Sequence, residues 1–192
     1  ERWGRIMFLK TAPLWSALLA FSISLFAGPS TIRHLRRLRL GQQIRIDGPK
    51  THLEKAGTPT MGGLLILAAV IVSVVVFRPL SHHVTIMLFA TAGFAVIGFI
   101  DDFLKVVAKR SLGLRAREKL VGQFGIALLV ALYATARVGT DLLIPFASRS
   151  IMLSPILYVP FSVLVILGTA NAVNLTDGLD GLAAGSTAIA AV

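Results

Sequence analysis

Long apolar runs alternate with short polar segments along this chain. Five runs contain no Lys, Arg, Asp or Glu: residues 12–28, 61–77, 84–100, 120–136 and 151–170. Each approaches the roughly 20 residues that an α-helix needs to cross a bilayer. One such run could be a buried helix of a soluble protein, but five in 192 residues predict an all-α, polytopic transmembrane helix bundle. Within the fourth run, Gln123 is expected to form a hydrogen bond between helices.

A sixth apolar run opens at Gly181 and reaches Val192 after 12 residues. As a helix it would extend about 18 Å, against a hydrocarbon core of about 30 Å. We therefore expect residues 1–192 to be a single transmembrane domain and the amino-terminal fragment of a longer protein. It would hold five complete spans and the start of a sixth, at 181–192.

The basic residues are distributed unevenly among the polar segments. Of the 19 Lys and Arg, seven lie between residues 30 and 60 and six between 101 and 119, whereas the alternate loops hold three. The positive-inside rule assigns the two rich segments to the cytoplasm. The amino terminus then lies outside, although its tail is basic. Orientation in a membrane accounts for the net charge of +10, so we expect membrane lipids and no nucleic acid as partners.

Two adjacent aspartates, Asp101 and Asp102, follow the third run. If the helix continues, Asp101 and Lys105 are four residues apart and share a face. Such a pair can hold Mg²⁺, which takes one or two carboxylates together with substrate phosphates, and a carboxylate can act as a general base. The alternative is that helix ends at the membrane surface often carry charge. The residues alone leave both interpretations open.

Asn171, Asn174 and Asp177 recur every three residues at the end of the fifth run and would form a polar stripe on a helix. Asp180 follows, and Gly178 would let a ligand approach the backbone. Insertion of an Asp at membrane depth costs about 2.5–3.5 kcal/mol of free energy on insertion scales, so such residues usually have a function. A polar turn between spans is the alternative, but a turn does not require two Asn and two Asp at this spacing. We therefore favour a ligand-binding segment.

The segment 55–63, Lys-Ala-Gly-Thr-Pro-Thr-Met-Gly-Gly, leads from the first basic loop into the second run. Thr58 predicts a helix cap, with Pro59 at the first helical position. That helix start would offer free N–H groups to an anion. The cap does not explain Gly62 and Gly63, which indicate tight helix packing or a close ligand.

Together and in this order, these segments resemble the phospho-N-acetylmuramoyl-pentapeptide transferases (translocase I). That family belongs to the polyprenyl-phosphate N-acetylhexosamine-1-phosphate transferase superfamily, glycosyltransferase family 4. The matching residues are 47–49 (Asp-Gly-Pro), 55–63, 98–105 and 171–183, and the resemblance runs from about Gly28 to the last residue. Thr-Pro-Thr-Met-Gly-Gly and Asn-Ala-Val-Asn-Leu-Thr-Asp-Gly-Leu-Asp-Gly-Leu are specific to the family, since other superfamily members usually vary both strings.

The resemblance implies a ten-span enzyme of the bacterial plasma (inner) membrane with a cytoplasmic active site. Such an enzyme would transfer phospho-N-acetylmuramoyl-pentapeptide from UDP-N-acetylmuramoyl-pentapeptide to undecaprenyl phosphate. The products would be UMP and lipid I, a peptidoglycan precursor, with Mg²⁺ as cofactor; a homodimer is compatible with this reading. The family's third essential aspartate and its histidine-rich loop would lie past Val192.

The resemblance also implies roles for single residues. Asp101 and Asp102 match the aspartate pair implicated in catalysis, with Asp101 as the candidate base on the lipid phosphate. The family's third aspartate is the expected main metal ligand, and Asp101 and Asp102 are further candidate ligands. Lys105 and Lys119 would help to hold phosphate. The substrate-binding candidates are Lys55, Thr60, Lys105, Lys119, Asn171, Asn174, Asp177, Gly178, Leu179 and Asp180.

Two other functions compete with this reading. A related transferase would use a different UDP-N-acetylhexosamine. A secondary transporter, from another class, would place its acidic residues near the middle of its spans. Every Asp and Glu here lies at or beyond the end of a predicted span, so the transporter is the less favoured reading.

Overall fold

In a computed structural model, the described residues are 2–37, 61–106, 113–145, 149–177 and 181–190, with the backbone alone for 2–10. Within these ranges the chain forms six helices and a two-stranded hairpin, which confirms the predicted all-α class. In chain order the elements are α1 (Arg2–Arg37), α2 (Gly63–Phe77), α3 (His82–Val106), α4 (Ala116–Arg137), β1 (Asp141–Ile144), β2 (Arg149–Met152), α5 (Pro155–Thr176) and α6 (Leu182–Ala190).

Four of these helices are long and apolar enough to cross a membrane: Thr11–Arg37 of α1, and α3, α4 and α5 in full. The chain is therefore a multi-pass membrane protein. Helix α2 has 15 residues and would extend only about 22 Å, against a hydrocarbon core of about 30 Å. The span expected at 61–77 stays a prediction.

The helices expose large apolar side chains. Phe26 of α1, Ile156 and Leu164 of α5, and Met87 of α3 are each at least 70% exposed. In water, large contiguous apolar patches are unusual on a monomeric protein, and exposed apolar side chains occur on every membrane-length helix here. Hydrocarbon contact removes that cost, so these faces fit lipid.

The chain divides into two compact units, residues 1–119 and 120–192. In the first unit, α1 and α2 pack against each other. Small residues are buried there: Ala12 of α1, and Ala69 and Ser73 of α2. The Ser73 hydroxyl donates to the Ala69 carbonyl at 2.7 Å, which satisfies it within its own helix. Small side chains let helix backbones approach closely where lipid is the solvent.

Helix α2 begins later than the Thr58-Pro59 cap signal predicts. Met61 has a φ of 68°, a left-handed conformation that a right-handed helix cannot include. The helix starts at Gly63, and Leu64 and Leu65 donate their N–H groups to the carbonyls of Met61 and Gly62. Residues 58–60 lie outside the described ranges.

In the second unit, β1 and β2 form an antiparallel hairpin that pairs Asp141 with Met152 and Ile144 with Arg149. The fifth span therefore does not begin at Ile151, as the apolar run suggested. Helix α5 starts instead at Pro155, after Ser154 at its cap position. Proline suits the first helical turn, because its φ is fixed near the helical value. The N–H that proline lacks would have no hydrogen-bond partner within the helix at this position.

Helix α5 also continues past Ala170, the predicted end of its span, to Thr176. Its contact with α4 is centred on Ala127, Ala131 and Val163, which are at most 6% exposed. Leu128, Val159, Ile166 and Leu167 pack around them. This core holds α5 against α4, and the predicted Asn stripe lies farther along α5.

Candidate active site

The Asp101 carboxylate lies near the carboxyl end of α3 and is held on both oxygens. Lys105 Nζ donates to Oδ2 at 2.6 Å, and the main-chain N–H of Leu114 donates to Oδ1 at 2.9 Å. The Asp101 side chain is only 11% exposed. A buried carboxylate with a cation and an amide as partners is fixed in one orientation. The predicted shared face of Asp101 and Lys105 is therefore confirmed.

Asp102 differs from its neighbour in exposure. Its side chain is 38% exposed, and its contact with Lys105 Nζ is longer, at 3.4 Å. Lys105 thus lies between the two carboxylates and offsets part of their mutual repulsion. One member of the pair is buried and fixed, and the other faces outward.

The partner of Asp101 comes from a short segment that precedes α4. Gly113 has a φ of +61° and is buried. A β-carbon at this position would collide with Asp101 Oδ1 and lie 2.8 Å from Lys105 Cε. Glycine therefore brings the chain close enough for Leu114 to reach Asp101.

The amino end of α4 continues this environment. Glu118 accepts a hydrogen bond from the main-chain N–H of Arg115 at 3.0 Å. In a capping box, the side chain of the third helical residue accepts a hydrogen bond from the N–H of the residue before the helix. The bond between Glu118 and Arg115 has this form and satisfies an N–H that has no partner within the helix. The charge of Lys119, one residue on, acts on Asp101. Both predicted phosphate-holding lysines, Lys105 and Lys119, therefore lie in the surroundings of Asp101.

The aspartate pair fits a Mg²⁺ ion that takes most of its ligands from elsewhere. Mg²⁺ is commonly bound through one or two carboxylates plus phosphates and water, and the Asp102 carboxylate is open to such a partner. The described residues contain no group of three or more His, Cys, Asp and Glu that could hold a metal. A site here would thus depend on substrate oxygens or on residues outside the described ranges.

The predicted polar stripe is helical as far as Thr176. Asn171 and Asn174 both lie on α5, and Asp177 ends the helix by donating its N–H to the Val173 carbonyl at 3.1 Å. The three-residue spacing therefore does place these side chains along one end of a helix.

Asn171 already has protein partners. Its Nδ2 donates to Gln123 Oε1 at 2.9 Å and to the Leu167 carbonyl at 2.8 Å. Gln123 is only 4% exposed, which confirms its predicted role as a hydrogen-bonding residue between helices. Asn171 thus links α5 to α4, and Asn174 and Asp177 are the members of the stripe nearer its end.

Several predicted substrate contacts lie outside the described residues: Lys55, Thr60, Gly178, Leu179 and Asp180. The structure adds Gly113, Leu114 and Glu118, which the sequence analysis did not select. Glu118 lies three residues after Arg115, but an Arg where a capping box has Ser or Thr hides this pattern in the sequence. The contact between Gly113 and Asp101 joins residues far apart in the chain and left no local signal.

Comparison with known proteins places the second half of the chain in a family. Residues 84–192 match the model of glycosyl transferase family 4. Residues 55–67 match the first phospho-N-acetylmuramoyl-pentapeptide-transferase signature. The first match contains the Asp101 and Asn171 regions, and the second contains the Lys55 segment.

Similar full sequences carry the same name in several bacteria. The chain is 49% identical over 176 residues to a phospho-N-acetylmuramoyl-pentapeptide-transferase of Caldanaerobacter subterraneus subsp. tengcongensis, covering 92% of the chain and 55% of that protein. It is 51% identical to the one from Desulfitobacterium hafniense, covering 90% and 52%, and 44% identical to the one from Clostridioides difficile, covering 93% and 56%. The chain thus spans about half the length of the curated relatives it matches.

Proposed function

Because this chain belongs to glycosyl transferase family 4, we propose that the full-length protein transfers phospho-N-acetylmuramoyl-pentapeptide from its UDP carrier to undecaprenyl phosphate. The products are lipid I and UMP. The signature at 55–67 and the names of the similar proteins support this donor. The observation that carries the proposal is the cluster of Asp101, Asp102 and Lys105 at one end of a membrane-length helix.

The proposed reaction moves one phosphorus between two oxygens. An oxygen of the lipid phosphate attacks the sugar-bearing phosphorus of the donor, and the bond from that phosphorus to the bridging oxygen breaks. UMP leaves with that oxygen. The acceptor phosphate sits at the headgroup plane and the donor is a soluble anion, so the reacting groups meet at the membrane surface. Carboxylates and lysines at a helix end suit such a place.

The aspartate pair is proposed to act on the acceptor side. Asp101 accepts the remaining proton of the lipid phosphate, and Lys105 balances the negative charge of the pair. Asp102, with its more exposed carboxylate, is the better placed of the two to hold Mg²⁺. The ion would neutralise charge on the diphosphate when bound.

Depletion of divalent ions with EDTA should abolish turnover, and added Mg²⁺ should restore it.

The polar end of α5 is proposed to bind the nucleoside. Carboxylates repel a diphosphate but accept hydrogen bonds from ribose hydroxyls and the uracil N–H. We therefore assign Asn174, Asp177 and Asp180 to the nucleoside, together with Thr60, and leave the diphosphate to Lys55 and Lys119. Asn171 supports this segment through Gln123. The charge of the basic loops supports a cytoplasmic position for these residues, in what we propose is a bacterial plasma membrane.

The experiment is a donor comparison with the purified full-length protein in detergent or lipid. UMP release and a lipid-linked product are measured with UDP-N-acetylmuramoyl-pentapeptide and undecaprenyl phosphate, and again with either one omitted. Both substrates should be required. The Asp102→Asn variant, purified in the same way, controls for enzyme carried over from the host.

A second donor decides between family members. UDP-N-acetylglucosamine should give a kcat/KM far below that of the muramoyl-pentapeptide donor. If the smaller donor is used as well or better, the protein is the related UDP-N-acetylhexosamine transferase and the proposed donor is wrong. Absence of UMP release with either donor would refute the transferase assignment itself.

A further inference from the structure

Gly113 lies directly against Asp101 and has an unusual backbone conformation. Its φ of +61° is one that L side chains rarely adopt, and the space on its β-carbon side is filled by Asp101 and Lys105. A β-carbon there would lie 2.9 Å from the main-chain oxygen of Asp101 as well as against its carboxylate. Glycine is therefore required at this position on two separate grounds.

The contact with Gly113 determines which group holds the Oδ1 oxygen of the Asp101 carboxylate. Because Gly113 lies against Asp101, the next N–H, that of Leu114, reaches Oδ1 at 2.9 Å. Lys105 holds the other oxygen, Oδ2, at 2.6 Å. The amide and the ammonium together set both the position and the rotation of the carboxylate. Without the hydrogen bond from the Leu114 amide, the carboxylate would be held at Oδ2 alone, and it could then rotate about that contact.

We propose that Gly113 is a positioning residue, which seats the Leu114 amide on Asp101 and thereby fixes the carboxylate for catalysis. The proposal rests on the transferase function above. Catalytic groups held in the wrong orientation lose rate steeply, and a displacement of about 1 Å can cost about a hundredfold. Gly113 touches neither substrate in this scheme, so its effect passes through Asp101.

The first test is Gly113→Ala in the full-length protein, with kcat and KM measured for both substrates. The expected result is a fall in kcat of about ten- to a hundredfold, with each KM changing by less than about threefold. A loss confined to KM, or no loss, would overturn the proposal. Gly139→Ala is the matched control, since Gly139 also has a positive φ, +119°, but its nearest neighbour is 3.7 Å away. The control should keep the kcat of the wild type.

A second variant separates the two reasons for glycine. Asparagine tolerates positive φ better than alanine does, yet it still carries a β-carbon. Gly113→Asn should therefore lose kcat as Gly113→Ala does, because the contact with Asp101 is the cause. Recovery to near the wild-type kcat would show that backbone strain alone was responsible and would refute the positioning role.

A third measurement does not depend on activity. Gly113→Ala is combined with Asp101→Ala, and the Tm of the single and double variants is compared in a mutant cycle. Without the carboxylate, the added methyl group loses its closest obstacle but still meets the main-chain oxygen of residue 101, so the Tm loss from Gly113→Ala should be smaller than in the wild-type background. Equal losses in both backgrounds would contradict the contact. If the wild type releases no UMP at all, the proposed function fails while this cycle still decides the Gly113 contact.

Discussion

The main-chain N–H of Leu114 donates a 2.9 Å hydrogen bond to Asp101 Oδ1 across 13 residues of sequence. This bond ties the segment before α4 to the end of α3. Lys105 holds the other oxygen from within the same helix. The buried aspartate is thus defined by one local and one distant partner, and its neighbour Asp102 remains the more exposed of the two.

Neutral amides in place of the two carboxylates should reduce turnover. In the full-length protein, Asp101→Asn and Asp102→Asn are each expected to reduce turnover by at least about a hundredfold, the low end for a positioned acid–base group. Protein yield should change little for Asp102→Asn, since that side chain is partly exposed. The measurement is UMP release per mole of purified protein. Near-normal turnover in both variants would mean that the pair is only charge at a helix end.

Asp180→Asn is expected to weaken nucleoside binding. Loss of a hydrogen bond at a buried polar site costs about 1–3 kcal/mol, or roughly ten- to a hundredfold in affinity. UMP and undecaprenyl phosphate are titrated separately against the same variant. UMP should bind more weakly by that factor, and lipid phosphate should bind as to the wild type. Intact UMP affinity with weakened lipid binding would move this residue to the acceptor side.

The hydrogen bond between Asn171 and Gln123 should contribute measurably to stability. Hydrogen bonds between membrane helices average about 0.6 kcal/mol and reach about 1.7 kcal/mol in mutant cycles. A cycle of Gln123→Leu and Asn171→Ala, followed by unfolding in detergent, should give a coupling free energy in that range. Thr135→Val is the control, because the Thr135 hydroxyl donates within its own helix, to the Ala131 carbonyl at 2.8 Å. Coupling no larger than that between Thr135→Val and Asn171→Ala would refute the pairing.

The membrane orientation can be tested with single cysteines, since the chain has none of its own. Arg36→Cys and Arg117→Cys should react with an impermeant thiol reagent only from the cytoplasmic side. Ser81→Cys and Asp141→Cys should react only from the outside. These expectations follow from the positive-inside rule, and all four positions are exposed. The reverse pattern would place the aspartate pair on the wrong side for a cytoplasmic donor.

The sequence predicted those features that depend on local pattern. Apolar runs located α3, α4 and most of α5, because spans in lipid must be long, apolar and helical. The four-residue step from Asp101 to Lys105 predicted their shared face. The three-residue steps from Asn171 predicted a polar helix end, and the structure extends α5 accordingly to Thr176.

Features that depend on contacts between distant residues were not predictable in the same way. An apolar run does not distinguish a helix from a short strand, so Ile151 was placed in a span although it pairs with Leu142 in the hairpin. The left-handed backbone at Met61 is unusual for a residue with a side chain, and the cap signal at Thr58 gave no indication of it. The need for glycine at position 113 becomes apparent only from its contact with Asp101 in the structure.

The hairpin between α4 and α5 has a practical consequence. The N–H of Leu153 donates to the Thr140 carbonyl at 3.1 Å, so the connection is closed at its base, before the paired strands begin. Residues inserted between Ile144 and Arg149 would lengthen only the connection between the two strands. The entropic cost of closing a loop grows slowly with its length, so the cost in stability should be small. An epitope for a rigid binding protein could be placed there without changing the helix ends, which would give this largely lipid-embedded molecule a handle for imaging.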